Sequence, residues 1–410
     1  MRTLEMDSPD DVGTACANAL VIRWDPDAAA ANPYYWHRAL PLVDEMLERL
    51  GVLNVPGFAE ASAALSTDVA SREAWNSVRS TIAAWVRRRP RDAGPVSSFV
   101  LGVASRTRLD YYIGESYGEV LREEKEWPSR RGAPAASGLT APLAQIVVPF
   151  RGGSSTPERI RNLMACLFAL GDQTLERDSY RVVVVESDAV PLWAPAIRPL
   201  ADDYIFAPSS TSFNKCWAVN VGVLNAAQPA PLVCVLDADA LPDRDFVARN
   251  IARFRRPGTG ALLPFRDLTY LDEHATRAAI DARCDSATGE VLREHTRGFL
   301  VHRAPGVCVW LRRDVFDAVG GMDERFEGWG REDLDFVLRL QLATAFDFYD
   351  DTTYHLHHPT AAQLKGGQTV NAHIPLLSWE PTGAIGDPQR YAGGSFGHGD
   401  HQLSVSDGLA

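Results

Sequence analysis

The sequence predicts an α/β fold, with a mostly parallel sheet flanked by helices and a mainly helical region in front of it. From about residue 143 onward, short apolar runs alternate with stretches of helical periodicity, which is typical of a doubly wound parallel sheet. Before residue 127 the apolar residues instead recur three and four positions apart, as they do at 40–50. The two patterns predict two regions of different architecture.

Composition narrows the class of protein. With 410 residues the chain is long enough for two domains, and its net charge of −12 argues against a nucleic acid, itself a polyanion, as its main partner. The six cysteines form no Cys-x-x-Cys pair, which favours free thiols in a reducing, cytoplasmic environment. The acidic start lacks the pattern of a secretory signal, and no window is apolar for long enough to span a membrane.

The patterns divide the chain into three segments. Residues 1–140 form the helical N-terminal region, which ends in a linker-like stretch rich in Pro, Gly, Ala and Ser at 128–142. Residues 141–380 form the α/β domain that carries the chemistry. Residues 381–410 form a glycine-rich tail that we expect to be loop or partly disordered.

The elements of the α/β domain can be followed along the chain. A strand at 145–150 leads to a helix that opens with Thr, Pro and Glu at 156–158, which are favoured at the N-cap, the first helical position and the first turn. Further strands are expected at Tyr180–Glu186 and Leu232–Leu236. This alternation of strands and helices predicts parallel pairing.

The strand Leu232–Leu236 stops on two carboxylates, Asp237 and Asp239. A strand this apolar is expected to lie buried in a parallel sheet, and open α/β sheets bind their ligands at the carboxyl ends of such strands. Two hard oxygen donors there suit a divalent cation that holds a phosphate. An acidic turn is the alternative for an isolated Asp-x-Asp, and the downstream motifs favour the metal.

Two neighbouring strands are expected to end at the same crevice. The first ends in Arg151, and the second ends in Glu186, with Asp188 two residues further on. A carboxylate there could accept hydrogen bonds from a base or a ribose, while the guanidinium could contact a phosphate. Ordinary polar loops after the strands are an equally open reading of these residues alone.

A polar segment precedes the Asp-x-Asp strand. Asn214, Lys215 and Asn220 supply amide and ammonium donors at helical spacing, and Gly222 allows a close approach of the backbone. A plain amphipathic helix would also explain this segment.

The densest motif surrounds Trp329, which lies between two glycines and is followed by Glu332 and Asp333. The glycines predict a tight turn that presents the indole, and the two acids open a helix whose dipole stabilises their ionised form. An aromatic face beside a carboxylate suits a sugar hydroxyl, which needs a flat surface to stack on and a base to take its proton. The structural alternative is an acidic cap over a buried tryptophan.

Histidines follow at the end of the same domain. His355 and His357 lie two residues apart, and we expect only one of them to reach a metal at the Asp-x-Asp site. The run lacks the His-x-His-x-Asp-His spacing of binuclear hydrolases, which argues against that chemistry.

Together, the segments at 213–222, 236–239 and 328–335 and the histidines at 355 and 357 resemble the GT-A glycosyltransferases. The similarity covers roughly residues 143–360 and is strongest to family-two enzymes and to the β-1,4-galactosyltransferase type of C-terminal domain. It implies the GT-A fold and an inverting, metal-dependent transfer from a nucleotide-diphosphate sugar. A UDP-sugar is the expected donor, and a hydroxyl group of a saccharide or small molecule is the expected acceptor.

The resemblance also implies roles for individual residues. Asp333 would be the catalytic base, with Glu332 holding a sugar hydroxyl. The metal, Mn²⁺ or alternatively Mg²⁺, would be bound by Asp239, by Asp237 and by one of His355 and His357. The nucleotide pocket would be formed by Pro149, Phe150, Arg151, Glu186, Asp188, Asn214 and Lys215. The sugar and acceptor side would be formed by Trp329, Gly330 and Arg331.

The sequence departs from the family pattern at three places. Lys215 stands where the family has an arginine, so a planar fork of donors is replaced by a point charge. Arg331 stands where a glycine is common and would narrow the acceptor side or add a cation for an anionic acceptor. Glu186 and Asp188 replace a commoner Asp-Asp-x-Ser pattern.

Two other functions compete with glycosyl transfer. A sugar-phosphate nucleotidyltransferase would use a Gly-rich phosphate loop, which residues 151–155 weakly resemble, but it would leave the motif around Trp329 without a purpose. A carbohydrate-binding protein on an inactive fold is the other alternative. The N-terminal region carries no chemical motif, so acceptor docking, homo-oligomer formation and shielding of the sheet all stay open as its role.

Overall fold

The computed structural model describes residues 8–118, 141–153, 155–360, 364–365 and 368–391. Most of the predicted linker at 128–142, the boundary near residue 140 and the last part of the predicted tail lie outside these ranges. Among the described helices, none is long and apolar enough to cross a membrane. All six cysteines are buried and free.

Six helices make up most of the N-terminal region. They are α1 (Pro9–Trp24), α2 (Pro26–Ala31), α3 (Pro33–Val52), α4 (Phe58–Thr67), α5 (Arg72–Arg88) and α6 (Pro90–Arg106). The first three begin with proline directly after a polar N-cap residue, which is a favoured helix start. Helix α1 is the buried centre, and its Asn18 is satisfied by Asp110, by the Tyr111 carbonyl and by the Trp75 indole.

A seven-stranded sheet forms the centre of the α/β domain. In spatial order its strands are β10 (Ala345–Phe348), β6 (Thr259–Leu263), β9 (Cys308–Arg312), β5 (Leu232–Leu236), β2 (Ala144–Phe150), β3 (Tyr180–Glu186) and β4 (Asp203–Phe206). All pairs are parallel except those of β9, which runs antiparallel to β5 and β6. Every residue of β2, β3 and β5 is buried, as expected for strands covered on both faces.

Helices cover both faces of this sheet. They are α7 (Pro157–Gly171), α8 (Ala194–Ile197), α9 (Lys215–Asn225), α10 (Phe246–Arg253), α11 (Glu273–Ile280), α12 (Arg313–Ala318) and α13 (Glu332–Ala343). Alternate residues of β2 pack into two different cores, one shared with α7 and one shared with α9 and α13. The α/β architecture with a mostly parallel sheet behind a mainly helical region is therefore as predicted.

A second sheet joins the N-terminal region to the α/β domain. It contains β1 (Leu109–Ile113), β8 (Arg297–His302), β7 (Asp267–Leu271) and β11 (Thr353–His355), in that spatial order. Strand β1 pairs antiparallel with β8 along its whole length. The N-terminal region therefore contributes a strand as well as helices, because its last element completes a sheet of the next domain.

The end of the described chain packs back onto the α/β domain. The short strands β12 (Leu364–Lys365) and β13 (Gln368–Thr369) form a hairpin. Beyond them, the carbonyl of Asp387 accepts from the Trp217 indole, and the carbonyl of Gly386 accepts from Asn225. The first part of the predicted tail is thus held against α9.

Candidate active site

A cleft of about 1870 Å³ lies at the carboxyl ends of β2 and β5. It is bordered by the turns after these strands, the 303–307 connection between β8 and β9, the turn before α13, and helix α3 of the N-terminal region. The predicted site residues that line it are Pro149, Phe150, Arg151, Asp188, Lys215, Asp237, Asp239, Trp329, Gly330, Arg331, Glu332, Asp333 and His355. This is where a parallel sheet is expected to bind its ligands.

One carboxylate and two imidazoles come together in this cleft. His355 Nε2 lies 3.3 Å from Asp239 Oδ1, and His358 Nε2 lies 2.9 Å from Asp239 Oδ2. Backbone hydrogen bonds keep the two segments side by side, since the Leu356 N–H donates to the Asp239 carbonyl and the Leu241 N–H donates to the Tyr354 carbonyl. We call Asp239, His355 and His358 the metal cluster, because one ligand atom of each lies within 4.8 Å of the others.

The hydrogen bonding of His358 decides which ring nitrogen faces Asp239. Its Nδ1 lies 2.9 Å from the carbonyl oxygen of Pro359, which can only accept, so Nδ1 carries the hydrogen. In the neutral ring the lone pair is then on Nε2, the atom that faces the carboxylate. A histidine that donates from one nitrogen to a carbonyl and presents the other is typical of metal ligands.

The charges of the metal cluster also fit a cation. Burial lowers the pKa of His355 to about 4, so its imidazole is neutral near pH 7 and can act as a ligand. Burial alone would raise the pKa of Asp239, but His355 and His358 lower it below its usual value, which keeps the carboxylate ionised. Asp239 Oδ1 is buried and accepts no hydrogen bond within the described chain. Such an oxygen beside the neutral imidazole of His355 fits a divalent cation.

His358 was not predicted, and His357 lies outside the metal cluster. The His357 N–H donates to Thr276 Oγ1, and its Nδ1 lies 3.3 Å from Glu273 Oε2. Of the two predicted histidines, the structure places His355 and not His357 beside Asp239. Strand β11 ends at His355, so the alternation of side chains between the two faces of the strand does not continue to His357. His358 lies beside Asp239 instead. In the sequence, this ligand was indicated by the third histidine of the run, at position 358.

Lys215 connects the two groups of acids. Its Nζ lies 2.7 Å from Asp237 Oδ1 and 2.8 Å from Asp333 Oδ1. Burial would lower the pKa of Lys215, but Asp237 and Asp333 raise it well above its usual value, so the side chain is a cation. Burial raises the pKa of Asp237 to about 7, against the lowering effect of Lys215.

This ion pair involves two residues with predicted roles. Asp237 lies outside the metal cluster, because its carboxylate is bound by the ammonium of Lys215. Lys215 lines the cleft, but two carboxylates bind its ammonium where a nucleotide contact was predicted. An ammonium can contact several oxygens at once, which explains why a lysine holds both acids.

Glu332 and Asp333 lie at the start of α13, inside the cleft. Glu332 Oε2 accepts from the Gly330 N–H at 2.7 Å, and burial followed by the nearby Asp333 raises the pKa of Glu332 to about 7. The carboxylate of Asp333 lies against Gly306, where a Cβ would come within 2.4 Å of Oδ2. Gly306 was not predicted, and only a contact across the fold reveals it.

The turn that carries Trp329 is fixed to the segment after β13. Arg331 Nη1 donates to the carbonyls of Asn371 and Ala372, at 3.1 and 2.9 Å, and Asn371 Nδ2 donates to the Gly330 carbonyl at 3.0 Å. Arg331 adopts a φ of 76° directly before the helix. Arg331 lines the cleft while its guanidinium binds backbone oxygens, so it helps to hold the turn.

The 303–307 connection is strained beside the acids. Arg303 and Val307 have φ values of 57° and 76°, a region that a β-branched residue rarely adopts. The carbonyl of Val307 accepts from the Asp237 N–H at 2.8 Å. Strain of this kind collects at functional sites, and here it places Gly306 against Asp333.

Some of the residues predicted to bind the nucleotide line the cleft, and others do not. Arg151 donates to the Thr211 carbonyl, and Asp188 accepts from the Gly153 N–H at 3.0 Å. The Gly153 N–H is therefore bound to a carboxylate, which does not suit a phosphate loop of the nucleotidyltransferase kind.

Two predicted nucleotide ligands have structural roles. Glu186 does not line the cleft, because its buried carboxylate accepts from the Trp193 N–H and from the Tyr204 hydroxyl. Asn214 caps α9 by accepting from the Trp217 N–H and donates to the carbonyl of Glu324. The hydrogen-bonding groups of these two side chains are therefore used within the protein.

Comparison with known families agrees with this site. The family model for glycosyl transferase family 2 matches residues 146–320. A second model, described as the N-terminal domain of galactosyltransferase, matches residues 301–358. Both matched families are described as glycosyltransferases. The two matches together contain the metal cluster and the start of α13, and the predicted resemblance is confirmed.

Solved structures of glycosyltransferases are similar to this one over about half of its length. A mannosyltransferase from Pyrobaculum calidifontis, in complex with GDP-Man and Mn²⁺, has 18% identity and a TM-score of 0.35 over 56% of this chain and 61% of its own. TarS residues 1–349 from S. aureus have 13% identity and a TM-score of 0.37 over 52% and 60%. Drosophila β-1,4-galactosyltransferase 7, in complex with xylobiose, has 17% identity and a TM-score of 0.31 over 55% and 76%.

The chain thus spans about three fifths of the length of the first two structures. The search of curated proteins returned no match.

Proposed function

We propose that this glycosyltransferase is an inverting, metal-dependent enzyme. It transfers a sugar from a nucleotide-diphosphate sugar, with a UDP-sugar as the expected donor, to a hydroxyl group of a saccharide or small molecule. The observation that carries the proposal is that the metal cluster and Asp333 line one cleft, with Lys215 binding both Asp237 and Asp333. One pair of substrates can therefore contact both.

The metal cluster is the proposed binding site of the cation. One hard oxygen from Asp239 with two imidazole nitrogens from His355 and His358 suits Mn²⁺, with Mg²⁺ as the alternative. A bound cation would neutralise the charge that develops on the departing diphosphate, an effect worth several kcal/mol in metal-assisted reactions.

Asp333 is the proposed base. The ammonium of Lys215 lies 2.8 Å from Asp333 Oδ1 and holds the carboxylate in the cleft. As the acceptor hydroxyl loses its proton to Asp333, its oxygen bonds to the anomeric carbon while the bond from that carbon to the diphosphate breaks. A single displacement of this kind inverts the configuration at the anomeric carbon. Glu332, buried beside Asp333, is proposed to hold a sugar hydroxyl.

Changing Asp333→Asn tests the proposal. A carboxamide keeps the shape of the side chain but cannot take the proton, so transfer is expected to fall by about a hundredfold or more. UDP release from a panel of UDP-sugars, with water or saccharides as acceptors, measures turnover, and calorimetry with UDP and Mn²⁺ measures donor binding. Binding is expected to persist.

Asp314→Asn is the matched control, since Asp314 is exposed on α12 and does not line the cleft. It is expected to keep full turnover. Unchanged turnover in the Asp333 variant would refute the base assignment, and retention of anomeric configuration by NMR would refute the single displacement.

A further inference from the structure

The N-terminal region forms part of the wall of the catalytic cleft. Helix α3 and the residues that follow α6 line the same cleft as the metal cluster and Asp333. The aromatic and basic residues of this wall, together with one arginine from the 303–307 connection, are Tyr34, Tyr35, Arg38, Arg106, Arg108 and Arg303. We call these six residues the arginine wall.

The charge of the arginine wall is not neutralised within the described part of the protein. Arg38, Arg106, Arg108 and Arg303 are all exposed, and none forms an ion pair with a described carboxylate. The acids that line the cleft all come from the α/β domain, and the N-terminal part of the lining contains none. In a chain with a net charge of −12, four such arginines at the mouth of one cleft mark a surface for an anion.

Two of the guanidinium groups are held in place by aromatic rings. Arg38 donates to the Tyr34 hydroxyl at 3.0 Å and lies 5.5 Å from the ring centroid of the same tyrosine. Arg108 makes the same pair of contacts with Tyr35, at 2.9 and 5.3 Å. Each contact uses some of the N–H groups of the guanidinium and leaves others able to donate. A carboxylate or phosphate would therefore bind side chains that are already partly ordered.

The arginine wall is also connected to the base. Arg303 belongs to the strained connection that continues to Gly306, which touches the carboxylate of Asp333. An acceptor bound along the arginine wall could therefore place a hydroxyl near Asp333.

We infer that the arginine wall is the acceptor subsite, and that the acceptor is a saccharide that carries a carboxylate or phosphate group. This inference rests on the proposed function and adds the substrate class of the acceptor. The anionic group binds Arg38 and Arg108, while the exposed part of the Tyr34 side chain supplies apolar surface for the sugar ring.

Binding of small saccharides to the full chain with Mn²⁺ and UDP or GDP present tests the inference. The probes are trigalacturonate and glucose 6-phosphate, which separate carboxylate from phosphate, with neutral maltotriose and glucose as their references. At least one anionic probe is expected to bind about tenfold or more tightly than its neutral reference. The double variant Arg38→Gln and Arg108→Gln is expected to abolish that preference.

Arg88→Gln is the matched control, because Arg88 is exposed in the same region but does not line the cleft. It is expected to keep the preference. If the double variant is unstable, Arg303→Gln removes one charge from the other domain and is expected to weaken the preference. Equal binding of anionic and neutral probes by the unchanged protein, or a preference that survives in the arginine variants, overturns the inference.

Failure of the inference and failure of the proposed function give different results. Calorimetry with UDP and GDP in the presence of Mn²⁺ is run on the same samples. Nucleotide binding without any preference for anionic saccharides would overturn the acceptor class alone. Absence of metal-dependent nucleotide binding would contradict the proposed function itself.

Discussion

His358 illustrates how much of this site depends on single hydrogen bonds. The Pro359 carbonyl accepts from Nδ1–H of His358, which leaves Nε2 as the ring atom that faces Asp239. The neighbouring His357 has the same side chain and nearly the same place in the sequence, yet it binds Glu273 and Thr276. The two histidines therefore form a natural pair for a mutational test.

We predict that His358→Ala lowers the affinity for Mn²⁺ by about tenfold to a hundredfold, because it removes one of three protein ligands. His357→Ala is expected to change the affinity by less than about threefold. Titration of Mn²⁺ followed by electron paramagnetic resonance measures both. Equal losses in the two variants would contradict the assignment of the metal cluster.

Residue types and spacing predicted which side chains meet in the cleft better than they predicted what those side chains do. Asp239, His355, Glu332 and Asp333 line it as expected. For Asn214 and other polar residues, the sequence did not show which backbone groups they would bind, because that depends on contacts across the fold. The Lys215 pair is of this kind, since its two partners lie 22 and 118 residues away along the chain.

At the scale of elements, the 303–307 connection and the start of α13 form one unit. The connection brings Gly306 against Asp333, and its Val307 carbonyl binds the backbone of Asp237. The atom closest to a Cβ at position 306 would be Asp333 Oδ2, the end of a side chain that can rotate. An added methyl group would therefore move the base more than it would disturb the fold.

We predict that Gly306→Ala lowers turnover by roughly a hundredfold, since a displacement of about 1 Å at a reacting group can have that effect. The melting temperature and the affinity for UDP with Mn²⁺ are expected to change little. Gly102→Ala is the control, because a Cβ there meets no atom within 4 Å. Normal turnover in the Gly306 variant would show that Asp333 does not need its present position.

The order of strands and helices was predictable because apolar runs of strand length alternate with helical periodicity. Strands β2, β3 and β5 follow the predicted segments closely. The antiparallel strand β9 was not predicted, because an apolar run of five residues does not reveal its direction. The sequence also did not show where β11 ends, and the position of that end decides which histidine reaches Asp239.

At the scale of the whole molecule, the N-terminal region is fastened to the α/β domain by a sheet and by a buried ion pair. Strand β1 pairs with β8, and Arg297 of β8 binds both Asp25 of the N-terminal region and Asp272, the latter at 2.7 Å. All three side chains are nearly fully buried. The arginine wall therefore has a fixed position relative to the catalytic residues.

We predict that Arg297→Met destabilises the protein by about 3–5 kcal/mol, because it leaves two buried carboxylates without their cation. The melting temperature is expected to fall by roughly 3–6 °C. Arg23→Met removes the exposed ion pair with Asp44 and serves as the control, with an expected loss below about 1 kcal/mol. Scanning calorimetry compares them, and similar small losses would contradict a buried connection between the regions.

The role of the N-terminal region could not be predicted from its residues, because its arginines and tyrosines form no motif along the chain. Arg38 and Arg108 lie 70 positions apart in the sequence. They become neighbours of the catalytic cleft only because β1 joins the second sheet and brings the end of α6 to that edge.

Diffraction at the manganese absorption edge, from crystals grown with Mn²⁺ and UDP, tests the central claim most directly. We predict one anomalous peak in the cleft, within bonding distance of an Asp239 carboxylate oxygen and of the Nε2 atoms of His355 and His358, with Asp333 free of the metal. A peak bound to Asp333, or a cleft that holds UDP without manganese at the metal cluster, would contradict the account.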